Sequence, residues 1–235
     1  MNLHPEPINI AFFALYWVVF IYSIVLHEVG HGYSSYLMGD PTAWKEGRLT
    51  LNPLRYVHPI YSVVMPIVFF LGSGVPFGGA KPVPVNPFLY RSLRWGSLAS
   101  AAAGPLVNIG LAILFALLFV AFRALAGGEP TLTNRFLAAC MMLNVFLAAF
   151  NLLPVPPLDG SHMLASLLPR ELWDSWGKFQ ALGWIPIVVL VIIDSRVPVI
   201  SLPLYYVGHL VLALLGATYG WSDTIQPINL LRGGG

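Results

Sequence analysis

Residues 8–38 read INIAFFALYWVVFIYSIVLHEVGHGYSSYLM, and Glu28 is the only formally charged residue between Glu6 and Asp40. A helix crosses the hydrocarbon core of a bilayer with about 20 residues, at 1.5 Å per residue. The stretch therefore predicts a membrane helix, and it sets one acid and two histidines inside that helix. The rest of the chain fits the same solvent. Only 9% of the 235 residues are charged and 57% are hydrophobic, where a soluble domain carries roughly 25% charged residues. No Lys or Arg precedes the first apolar segment, and that segment holds the ionisable cluster, so it predicts a retained span and not a cleaved signal peptide.

Working outward, the composition predicts one membrane-embedded domain over residues 1–235, an all-α polytopic membrane protein with about six transmembrane helices. Apolar intervals place these at 8–38, 60–71, 95–122, 136–158, 179–193 and 197–222, with a Gly- and Pro-rich loop over 72–94. Prolines 59 and 66 shorten the second span. The run Pro154-Val155-Pro156-Pro157 ends the fourth. Segment 44–54 differs in kind, since Arg48-Leu49-Thr50-Leu51 alternates polar and apolar residues and predicts a short strand or hairpin. A net charge of +2 with scattered basic residues gives no nucleic-acid surface. Cys140 is the only cysteine, which excludes an intrachain disulfide and a cysteine-built zinc cluster.

His27-Glu28-Val29-Gly30-His31 is an H-E-x-x-H sequence. Four residues turn a helix by about 400°, so both imidazoles stand on one face and can grip one metal ion, while Glu28 can take a proton from a water that the metal polarises. Clustered ionisable groups at membrane depth are costly unless paired or metal-bound, which favours function over simple interhelical bonding. A catalytic zinc takes a third protein ligand. Asp159, just beyond the proline run, is the leading candidate, with helix capping as its alternative use and His162 as a rival. His58, His4 and His209 stand alone in the sequence.

The H-E-x-x-H helix followed by Asn151-Leu152-Leu153-Pro154-Val155-Pro156-Pro157-Leu158-Asp159-Gly160 resembles the site-2 protease family of intramembrane zinc metalloproteases. Gly47-Arg48-Leu49-Thr50-Leu51-Asn52-Pro53, Gly79-Ala80-Lys81-Pro82-Val83-Pro84-Val85-Asn86 and Ala103-Gly104-Pro105-Leu106-Val107-Asn108 are similar to its compact prokaryotic branch. His58 departs from that branch, where an aspartate is expected. The resemblance implies one catalytic Zn2+ held by His27, His31 and Asp159, Glu28 as catalytic base, and no appended PDZ or CBS domain. It also implies transmembrane protein or peptide substrates cut within the bilayer, and a multi-pass protein of the prokaryotic cytoplasmic membrane.

Such a substrate must be held unwound, and Arg48 to Leu51 offers an edge for it to pair with. Asn108 and Asn151, each in an apolar interval near a proline, are candidate substrate-positioning amides. The competing function is a zinc transporter or a metal-binding membrane protein without peptidase activity, since intramembrane His, Glu and Asp also line ion paths.

Overall fold

The computed structural model describes residues 10–64, 67, 79–128, 131–194, 206, 207 and 210. Its long elements are α1 (Ile10–Met38), α3 (Leu93–Leu125) and α4 (Leu132–Asn151). Between α1 and α3 lie the single-turn α2 (Thr42–Lys45), a 3-10 turn (Pro53–Tyr56), a π-helical turn (Pro59–Val64) and a second 3-10 turn (Pro87–Leu89). After α4 come α5 (Asp159–Leu167), α6 (Trp173–Gln180) and α7 (Ile185–Asp194).

α3 is the hub, packing on α1, α4 and α5. Lipid tails are as apolar as leucine, so helices in a bilayer associate through close contact of small residues and through polar bonds. α3 and α4 do both. Ala112 and Phe119 of α3 bury against Leu137, Ala138 and Met141 of α4, and the Asn134 side chain donates to the Phe119 carbonyl at 3.1 Å. The Thr131 hydroxyl accepts the Asn134 N–H at 3.1 Å, which satisfies one of the free donors at the start of α4.

α1, α3 and α4 are long and apolar enough to cross a membrane. The sequence predicts one further span at 179–193, but there α6 and α7 meet at a 72° bend. Counting that pair as one span gives four among the described residues, not six. The predicted span at 60–71 is described only through Val64 and at residue 67, and the one at 197–222 falls outside the described residues except at 206, 207 and 210.

The strand or hairpin expected at 44–54 is corrected: the described residues contain no strand. Trp44 and Lys45 belong to α2, and across Arg48 to Leu51 the buried side chain is Arg48 while Leu51 is exposed, so the alternation marks neither a partner strand nor a buried apolar face. The Tyr56 hydroxyl donates to the carbonyls of Arg48 and Thr50, at 2.5 and 3.0 Å, and so occupies acceptors that a neighbouring strand would need. Arg48 itself is buried, its guanidinium donating to the Lys81 carbonyl at 2.9 Å.

Asp40 is fully buried as well. Its Oδ1 accepts the Thr42 N–H at 2.9 Å and the Thr42 hydroxyl, and its Oδ2 accepts the Asn86 N–H at 2.6 Å. One carboxylate thus joins the end of α1 to α2 and to the chain before α3. Asp40→Ala should leave two backbone donors unpaired and destabilise the protein by about 2 kcal/mol, read as a lowered melting temperature in detergent; an unchanged melting curve would contradict this role.

Candidate metal centre

Residues four apart on a helix stand one above the other. On α1 that spacing produces a polar stripe of Ser23, His27, His31 and Ser35, and α3 answers it in antiparallel order with Ser100, Gly104 and Asn108. Ser35 Oγ lies 2.8 Å from Ser100 Oγ, His31 Nδ1 lies 2.7 Å from the Ser100 carbonyl, and His27 Nδ1 lies 2.6 Å from Asn108 Oδ1. A carbonyl oxygen only accepts, so each Nδ1 carries the ring hydrogen and each Nε2 keeps its lone pair.

The two Nε2 atoms are 3.1 Å apart. Two lone pairs that close repel unless a cation lies beside them. Asp159 completes the cluster, with Oδ2 3.1 Å from His27 Nε2 and Oδ1 3.3 Å from His31 Nε2. Although near His27, Oδ2 is buried and makes no hydrogen bond of acceptable geometry, the condition a metal ion relieves. One ligand atom from each of His27, His31 and Asp159 falls within 4.8 Å of the others. Two imidazoles and a carboxylate are a donor set of catalytic zinc, leaving a coordination position open. The residues fit the metal.

Two glycines make the approach possible. A Cβ on Gly104 would stand 2.6 Å from His27 Nε2 and nearer still to His31 Nε2, against the two nitrogens that would hold an ion. A Cβ on Gly160 would overlap the carbonyl oxygens of Leu152 and Leu153, so only glycine lets α5 start against the end of α4 and bring Asp159 inward. Asp159 is the first residue of α5, Leu158 holds the capping position, and no side chain caps that end; the carboxylate is directed to the histidines instead.

The other candidates separate by position. Glu28 accepts the Val83 N–H at 2.9 Å through Oε2 and lines a cavity of about 740 Å³ with the three metal-site residues. Asn151 lines the same cavity, one amide hydrogen donated to the Leu147 carbonyl at 2.9 Å. Asn108 is fully buried, and its amide is used up: Oδ1 on His27, Nδ2 on Asn144 Oδ1 at 3.0 Å and on the Ser23 carbonyl at 3.5 Å. It holds a histidine, leaving no group for substrate. His162 faces Gln180 Nε2 at 3.3 Å and lies outside the cluster. His58 Nδ1 accepts the Ile60 N–H at 3.2 Å, a local turn. His4 and His209 are outside the described residues. Sequence reasoning missed Asn144, although its spacing of seven from Asn151 places both on one face of α4.

Fold and centre together define a membrane protein of metallohydrolase type, with a His-His-carboxylate site beside an acid able to act as a base. The profile of peptidase family M50, the site-2 protease family, matches residues 129–190. The chain is 34% identical over 177 residues to the "Putative zinc metalloprotease YwhC" of Bacillus subtilis, covering 74% of this chain and 78% of that one. It is 34% identical over 171 residues to the like-named Rip2 of Mycolicibacterium smegmatis, covering 72% and 63%. Rip2 of Mycobacterium tuberculosis is 35% identical over 155 residues, covering 66% and 56%. No solved structure matches. The chain belongs to peptidase family M50.

Gly104→Ala should abolish stoichiometric zinc in the purified protein. Gly110→Ala, in the same helix but with nothing within 4 Å of the added methyl, should retain it. Atomic emission on both variants checks this, and full zinc in the Gly104 variant would place the ion elsewhere.

Proposed function

We propose that this chain is a multi-pass protein of the prokaryotic cytoplasmic membrane that hydrolyses peptide bonds of transmembrane substrates within the bilayer, with zinc held by His27, His31 and Asp159 and Glu28 as catalytic base. Membership of family M50 and relatives named zinc metalloproteases make it a zinc metalloprotease. The observation that carries the residue roles is the pair of Nδ1 atoms committed to oxygens, which leaves both Nε2 atoms facing Asp159. Among the described residues this is the one group of three or more ligand-type side chains that could hold a metal, whereas a transport path needs a series.

Zinc at this centre supplies Lewis acidity toward the scissile carbonyl and makes water acidic enough to be deprotonated near neutral pH. Glu28 takes the proton of the attacking water and returns it to the leaving amine. The Val83 N–H fixes one oxygen of Glu28, so the other remains for that proton. Asn151, on the cavity wall, keeps its Oδ1 for a substrate N–H.

The substrate backbone must replace the helical hydrogen bonds it loses, and residues 83–85 are built to supply them. Lys81 and Val83 each precede a proline and are thereby held extended. The strip is anchored at both ends: the Lys81 N–H donates to the Tyr56 carbonyl at 2.7 Å, Arg48 holds the Lys81 carbonyl, and Asp40 holds the Asn86 N–H. Between these anchors the Val83 carbonyl and both backbone groups of Val85 have no partner among the described residues, and both valines line the cavity beside Glu28. An extended segment projects alternate residues to one side, so these groups share the side of Glu28. The pairing edge expected at Arg48 to Leu51 is thus better served by 83–85.

Glu28→Gln should retain zinc and lose at least about 100-fold in cleavage of a tagged transmembrane peptide, while Asp159→Ala should lose zinc and activity together. Normal cleavage by the Gln variant in pure protein would end this reading. Val85→Pro removes one edge donor and should keep zinc while kcat/KM falls about 3- to 10-fold; unchanged kinetics would remove the edge from the mechanism.

A further inference from the structure

We propose that Asn144 is a positioning residue of the metal centre: by fixing which way the Asn108 amide points, it sets the tautomer in which His27 offers Nε2 to zinc. This rests on the reading of His27 as a ligand. Asn108 and Asn144 are both fully buried in membrane helices, where an unbonded amide is costly. Their orientations follow from acceptors that cannot donate. The Cys140 carbonyl lies 3.0 Å from the Asn144 amide, so the group facing it is Nδ2. That turns Asn144 Oδ1 toward α3, where it accepts from Asn108 Nδ2 at 3.0 Å. The Ser23 carbonyl, 3.5 Å from the same Nδ2, agrees. Asn108 Oδ1 is left for His27 Nδ1.

Reversing any link changes the metal site. If Asn144 presented its amine to α3, Asn108 would turn its own amine toward His27, Nδ1 would accept, and the ring hydrogen would move to Nε2, closing the lone pair that binds metal. His31 has no such dependence, because a backbone carbonyl contacts its Nδ1 directly. The relay makes His27 the ligand that a side chain 36 residues from Asn108 in sequence can disable. A purely structural role, two amides holding α3 to α4, predicts lost stability but unchanged zinc affinity of the folded protein.

The test combines zinc affinity, by chelator competition on the purified full chain in detergent, with 15N histidine chemical shifts of the metal-free protein at a pH where the imidazoles are neutral. The parent should show His27 with hydrogen on Nδ1. Asn144→Leu should shift His27 toward the Nε2–H form and weaken zinc binding about 10- to 100-fold. Asn144→Asp, which when neutral donates its O–H to the Cys140 carbonyl and offers its other oxygen to Asn108 Nδ2, should stay near the parent at a pH where this buried carboxyl is protonated. The proposal is overturned by an Nε2–H tautomer in the parent, by parent-like zinc affinity in the Leu variant, or by an Asp variant as weak as Leu. Should the Leu variant not fold, the parent tautomer and the Asp variant decide. A parent that binds no zinc would sink the proposed function instead, and its His27 tautomer would still judge the relay.

Discussion

The contact between the polar stripe of α1 and the matching stripe of α3 is the constraint on which the rest depends. In lipid the two helices gain no hydrophobic free energy from burying leucine against leucine. What binds them is a seam of hydrogen bonds at four-residue spacing: Ser35 to Ser100, His31 to the Ser100 carbonyl, His27 to Asn108, and Asn108 to the Ser23 carbonyl. The seam brings α3 so close that only glycine fits at position 104. The interaction that holds the helices together also fixes which nitrogen of each ring is free. Stability and metal chemistry are set by the same bonds.

Helical geometry then decides what Glu28 does. One residue is about 100° around the helix, so when His27 faces α3 its neighbour faces elsewhere, toward the strip at 83–85. That strip needs fixed ends to hold a carboxylate in place, and two buried charges supply them. Arg48 grips its start and Asp40 its end, each through a backbone group of the strip. Both lie outside the metal cluster, yet both bear on where the Glu28 carboxylate sits.

The helical character, the three long spans and the metal cluster were legible because each is written in local spacing. Charge-free runs announce α1, α3 and α4, and His27 and His31 at four-residue spacing announce a shared face. Asp159 carried two physical readings, cap or ligand; Leu158 holds the capping position of α5 and the carboxylate lies beside the two histidines instead. The misread strand at 44–54 shows the limit of periodicity. Alternation there does not track burial, since Arg48 is buried and Leu51 exposed, and a strand also needs a neighbour for its backbone, whereas Tyr56 takes the carbonyls of Arg48 and Thr50. Asn108 was visible as a buried amide, but its partner was a matter of register between α1 and α3. Asn144 escaped because a lone amide in an apolar run carries no direction until the carbonyl it faces is known.

The centre joins parts of the chain that packing alone would not align. α5 rests on α3 and begins against the end of α4, while its tie to α1 runs through Asp159 and the two imidazoles. Without a cation, that tie consists of an anion beside two nitrogen lone pairs, with Asp159 Oδ2 buried and unbonded. With a cation, the same atoms become mutually attractive and fasten residues 27, 31 and 159 at one point. Free energy of metal binding in such an arrangement is also free energy of folding. A metal bound there would therefore hold the cavity together as well as polarise what enters it, which would account for how so polar a site persists among helices whose outer faces suit lipid.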